Sequence, residues 1–162
     1  MDKMIKQTFN IIILGLLVGF IVFSFQQNGE DPTVDDQLVG IVDDWKKDMN
    51  SIGLDGGNLI KRVDKIIIVD RIPIGLLNSR STKGVMGRFD YSTRSIYILS
   101  RKYERHQLKA LVYHELGHYL FNLNHTDGDY IMSTYITEEG GYYKNNWDAL
   151  LPKYLYKCKS SL

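Results

Sequence analysis

Two histidines four residues apart, with a carboxylate beside the first, constrain this chain more than any other feature. The segment YHELGHYLFNLNH runs from Tyr113 to His125. His114 and His118 can act on one object only from one face of a helix, where positions i and i+4 lie one turn apart. The surrounding pattern agrees. Leu108, Leu111, Val112, Leu116, Tyr119 and Leu120 recur at helical spacing, which predicts a helix from Arg105 to about Asn122. Asn tolerates the left-handed backbone conformation, so the helix can end near Asn122 and the chain can fold back to present His125. Three of the chain's four histidines thus fall within one short stretch. Three imidazoles can hold one metal ion, and Glu115 can reach a water on that ion and take its proton. His125 is the candidate third ligand, with Asp127 or Asp129 as the alternative.

The rest of the sequence says where such a site would work. Phe9 to Phe25 carries no charge, and only Asn10 and Ser24 are polar. As a helix this run spans about 26 Å, at the short end of what crosses a bilayer. Lys3 and Lys6 precede it, and Glu30, Asp31, Asp35 and Asp36 follow. That asymmetry keeps the N-terminus cytoplasmic and sends the remainder across. Residues 1–25 therefore read as a transmembrane signal anchor or a cleaved signal peptide, and 26–33 as a polar linker. Residues 34–162 read as a single domain, anchored on the extracytoplasmic side or secreted if the leader is cut. Lys and Arg number 20 against 19 Asp and Glu, and no basic stripe accompanies the aromatics, so the sequence expects no nucleic-acid partner. A single cysteine, Cys158, excludes an internal disulfide and a multi-cysteine zinc site, and reads as a buried or idle thiol.

Within the domain, Leu38, Ile41, Val42, Trp45 and Met49 predict an amphipathic helix over 34–50, broken by SIGLDGGN. Lys65 to Ile72 reads as a buried strand stopped by Pro73. Residues 84–91 and 95–99 read as two strands around a DYSTR turn, a candidate hairpin. Residues 124–141 read as irregular. Trp147, Leu150, Leu151, Tyr154 and Leu155 predict a last helix that Pro152 interrupts or kinks. His106, at the start of the histidine-bearing helix, reads as solvated. The sum is an α+β fold, a small sheet with helices packed on it.

At HELGH, His125 and YIMSTY, the sequence resembles the metzincin clan of zinc metallopeptidases, whose motif is HExxHxxGxxH followed by a methionine-containing turn. The spacer between His118 and His125 has six residues rather than the clan's five, and Phe121 stands where the clan has glycine, with Asn122 the candidate substitute. The pattern HELGH-x6-H is similar to a looser group of small metzincin-like predicted peptidases from bacteria and viruses. Those often end in a tyrosine-rich helix, as YYKNNWDALLPKYLYK does here. The resemblance is specific over 113–135, looser over 84–155 and absent over 1–60. It implies a twisted mixed sheet with a backing helix and an active-site helix. It further implies Zn²⁺ on His114, His118 and His125, Glu115 as general base, Met132 as the Met-turn residue, and a peptide or protein substrate. The substrate would lie along an edge strand, for which residues 84–91 are the candidate. Tyr135, three residues past Met132, is a possible oxyanion stabiliser, where some metzincins place a tyrosine two past the methionine. Two other readings compete. One is a catalytically silent, zinc-stabilised structural or binding domain at a membrane or virion surface. The other is zinc-dependent hydrolysis of a non-peptide bond such as a cell-wall amide.

Overall fold

The structure is a computed structural model and describes residues 29–76, 86–126, 131–133 and 141–162. The apolar run at 9–25, Asp127, Asp129 and Tyr135 lie outside the described residues. Among the described residues no helix is long and apolar enough to cross a membrane.

The first element is a two-residue strand, β1 (Thr33–Val34), which leads directly into helix α1 (Asp36–Ser51). The expected helix over 34–50 therefore starts later, and Thr33 is not linker. Two hydrogen bonds fix the change: Thr33 N donates to the Asp64 carbonyl and Asp35 N to that of Ile66. Asp35 then caps α1, its carboxylate accepting from Gln37 N at 3.2 Å. The predicted apolar stripe is the buried one: Leu38, Ile41, Val42, Trp45 and Met49 are all 2% exposed or less.

The break after α1 holds a turn and then a short helix that the sequence reading missed, α2 (Gly56–Ile60). Gly53 makes the turn at φ +83°, and Asp55 caps α2 through Asn58 N. Gly56 is required by contact: a Cβ there would stand 2.5 Å from the Lys46 carbonyl oxygen.

Strands β2 (Lys65–Val69), β3 (Gly87–Asp90) and β4 (Ser95–Leu99) complete a mixed sheet in the order β1-β2-β4-β3. β1 runs parallel to β2, β2 parallel to β4, and β3 antiparallel to β4. β2 is shorter than the expected Lys65–Ile72, because its partner β4 ends at Leu99, opposite Val69. Beyond it the chain passes through Pro73 into a 3-10 turn at Ile74–Leu76. The expected hairpin is present. Asp90 organises its turn by accepting from Ser92 N, Ser92 Oγ and Thr93 Oγ1, and Arg94 closes it at φ +47° with its guanidinium on Asp64. Pairing on one side only leaves β3 at the edge of the sheet among the described residues.

Helix α3 (Arg105–Phe121) packs across β3 and β4, and helices α1 and α4 (Tyr142–Ser160) pack on α3. The core lies between these layers, with Ile66, Ile96 and Ile98 from the sheet and Leu111, Leu116 and Trp45 from the helices fully enclosed. Trp45 Nε1 donates to Tyr154 Oη (3.2 Å), and that hydroxyl donates to the Tyr113 carbonyl (2.8 Å), so three helices share one buried chain of hydrogen bonds. α4 continues through Pro152, so of the interruption or kink expected there the interruption is absent. Pro152 sits on the exposed face, while Leu150, Tyr154, Leu155 and Cys158 on the other face are buried.

Candidate metal centre

Helix α3 presents His114 and His118 from one face, their ring centroids 4.5 Å apart. It ends as the sequence predicts. Asn122 takes the left-handed conformation (φ 50°, ψ 34°), and both its N–H and that of Leu123 turn back to the Gly117 carbonyl. This reversal carries His125 over the end of the helix. The three Nε2 atoms form a nearly equilateral triangle, with edges of 3.0 Å (His114 to His118), 3.0 Å (His118 to His125) and 3.1 Å (His114 to His125). These three histidines could hold a metal ion. Among the described residues, no other histidine, cysteine or carboxylate joins the group.

The protonation of the rings follows from what their other nitrogens touch. His114 Nδ1 lies 2.8 Å from the Ile131 carbonyl oxygen, and His118 Nδ1 lies 2.6 Å from that of Leu123. A carbonyl only accepts, so each Nδ1 carries the proton and donates it. In the neutral rings the two Nε2 atoms are therefore bare lone pairs facing each other at 3.0 Å. Two acceptors at that distance repel unless a cation stands between them. A second proton on either ring is opposed by burial, which pushes His114 down to about 3 and lowers His118 and His125 as well. Carbonyl partners on the far ring nitrogen are the usual means by which a metal-binding histidine is aimed.

Glu115 sits one residue along the helix and is only 6% exposed. Burial pushes its carboxyl up to about 8, against the opposing pull of Arg88. Its space is supplied by β3. A Cβ at Gly87 would stand 2.8 Å from Glu115 Oε1 and 3.1 Å from its Cδ. A second glycine does the same on the underside of the helix, where a Cβ at Gly117 would stand 2.7 Å from Met132 Sδ and 3.1 Å from Tyr154 Cε2. Met132 is thus buried directly beneath the turn that joins His114 to His118. Its own carbonyl accepts from Thr126 N at 2.9 Å, which ties the Ile131–Ser133 segment to the strand of chain carrying His125.

Glu115, His118 and His125 open into one groove of about 570 Å³, walled on one side by Arg88 to Ser92. Phe89 stacks on Tyr119 with ring centroids 3.7 Å apart, and Tyr91 meets both rings edge-on at the rim. His106 stands apart from the centre, half-buried against Trp147 rather than solvated. Cys158 is fully buried, and burial pushes its thiol up to about 12. Sequence reasoning did not find Gly87, Arg88 or the role of Gly117. Nothing local marks them, because what they touch lies on another element.

No protein-family description, no curated protein and no solved structure matches the chain. The site itself therefore supplies the grounds for a functional reading.

Proposed function

We propose that this protein is a zinc-dependent endopeptidase, with His114, His118 and His125 as zinc ligands and Glu115 as general base. The observation that carries the reading is the pair of carbonyl-oriented imidazoles whose bare Nε2 atoms, joined by that of His125, converge to 3.0–3.1 Å. Three nitrogens of a tetrahedral zinc at about 2.0–2.1 Å stand about 3.3–3.4 Å apart, so the triangle needs to open by only a few tenths of an ångström. Three imidazoles suit several transition metals. Zinc is favoured because three protein ligands with an open fourth position are the usual form of its hydrolytic sites.

Zinc, when bound, supplies a Lewis acid and lowers the pKa of its water from about 15.7 toward about 7. The chain's own residues do the rest. The Ile131 and Leu123 carbonyls hold two of the rings in register. Burial alone disfavours the ionised form of Glu115, and that form would be favoured by a bound cation beside it. The carboxylate would then take a proton from water and deliver it to the departing amine nitrogen. The edge of β3, unpaired on one side among the described residues, offers backbone N–H and C=O groups along which an extended peptide can pair. The Tyr135 hydroxyl is the proposed donor to the developing oxyanion. The apolar run at 9–25 would tether this domain to a membrane with residues 34–162 on the extracytoplasmic side.

A structural zinc site is usually closed by four protein ligands and has no use for a buried carboxylate beside it. This site is open to a groove, which favours catalysis over the binding-domain alternative. The test is metal removal. The full chain should cleave members of a mixed peptide library, lose that activity to a zinc chelator and regain it on adding zinc. Activity that survives complete zinc removal would sink the reading.

A further inference from the structure

The groove beside the histidine triangle has one permanent cation among its described lining residues, Arg88. It follows Gly87, the residue whose missing side chain makes room for Glu115. Its side chain is exposed, and it forms no ion pair among the described residues. Asp90, which lines the same groove, is engaged by Ser92 and Thr93 in the hairpin turn. Arg88 lines the same groove as Glu115, His118 and His125. A fixed positive charge next to a cation-binding site is unfavourable in the resting protein. It becomes favourable when an anion is brought into the groove between them.

From this placement we propose that Arg88 is a specificity-determining residue that selects peptides with an acidic side chain next to the scissile bond. The proposal rests on the peptidase reading and narrows its substrate class. A guanidinium meets a carboxylate through two parallel N–H donors, which gives geometric as well as electrostatic selection. Because Arg88 is exposed, the gain is moderate, about tenfold in kcat/KM for Asp over Asn at the selected position.

The experiment uses the full chain loaded with zinc and a mixed peptide library, with cleavage sites read by mass spectrometry. Asp and Glu should be enriched within two positions of the cut. Three peptides differing only in Asp, Asn or Lys at the enriched position then give the preference as a ratio. That ratio should be about ten for Asp over Asn in the wild type, near one in Arg88→Gln, and reversed in favour of Lys in Arg88→Glu. Zinc content is measured alongside, so that a change in preference is not confused with loss of the metal. Cleavage of all three wild-type substrates at equal rates would overturn the role of Arg88 and leave the peptidase reading intact. Failure of the zinc-loaded wild type to cut any peptide would overturn both.

Discussion

Replacing Glu115 with Gln should leave the metal in place and remove hydrolysis. Glutamine has the same shape, so it fits the enclosed space against Gly87 that the carboxylate occupies. It can still hydrogen-bond to a water, but it cannot take up a proton at neutral pH. Positioned general bases are typically worth about 10²–10⁴-fold, and the loss in kcat should fall in that range. Glu115 does not belong to the histidine cluster, so zinc content should stay at the wild-type level. Side-by-side assays of metal and peptide cleavage decide the matter. A Glu115→Gln protein that cleaves at the wild-type rate would place the proton acceptor elsewhere.

The second large effect concerns the ligands. Altering a residue that merely supports a metal ligand typically costs 10–100-fold in affinity, so removing a ligand should exceed about 100-fold. His125→Ala is the cleanest case. His114 is buried, and truncating it would leave a cavity and an unpartnered Ile131 carbonyl, confounding metal loss with unfolding. His125 is exposed and lies beyond the helix, so its removal should spare the fold. Zinc titration of His125→Ala should show the weakened affinity while circular dichroism remains unchanged. Undiminished zinc binding in that variant, with loss in Asp127→Ala or Asp129→Ala, would reassign the third ligand.

What the sequence revealed of this protein was what local spacing can encode. The stripe of α1 and the helical spacing of α3 were legible because burial on one helical face repeats every three to four residues. The His114/His118 pair was legible for the same reason, and the return to His125 because Asn122 is one of the few residues that accept the left-handed conformation. β1 was not legible. Two residues, Thr33 and Val34, form a strand only because Lys65 and Ile66 come alongside them, and neither segment announces the other. The end of β2 was equally hidden, since it is set by where β4 runs out. Pro152 pointed to an interruption that is absent, because proline carries a local penalty for helix interiors. Here the buried faces of Leu150, Tyr154 and Leu155 hold the helix together around an exposed proline. At the site, the carboxylate of Glu115 could be named from HELGH, but its neighbours Gly87 and Arg88 could not. They reach it through sheet topology, from a strand that precedes the helix by more than a dozen residues.

Peptide hydrolysis in ¹⁸O-labelled water, with the products weighed by mass spectrometry, is the decisive experiment for the proposed zinc-peptidase mechanism. The zinc-loaded full chain should yield two fragments from each susceptible peptide. The new carboxyl terminus should carry one ¹⁸O atom and the new amino terminus none, because water, deprotonated by Glu115, attacks the carbonyl carbon. Intact peptides after prolonged incubation with protein that holds one zinc per chain would contradict it, and would mark the three histidines as the anchor of a binding domain instead.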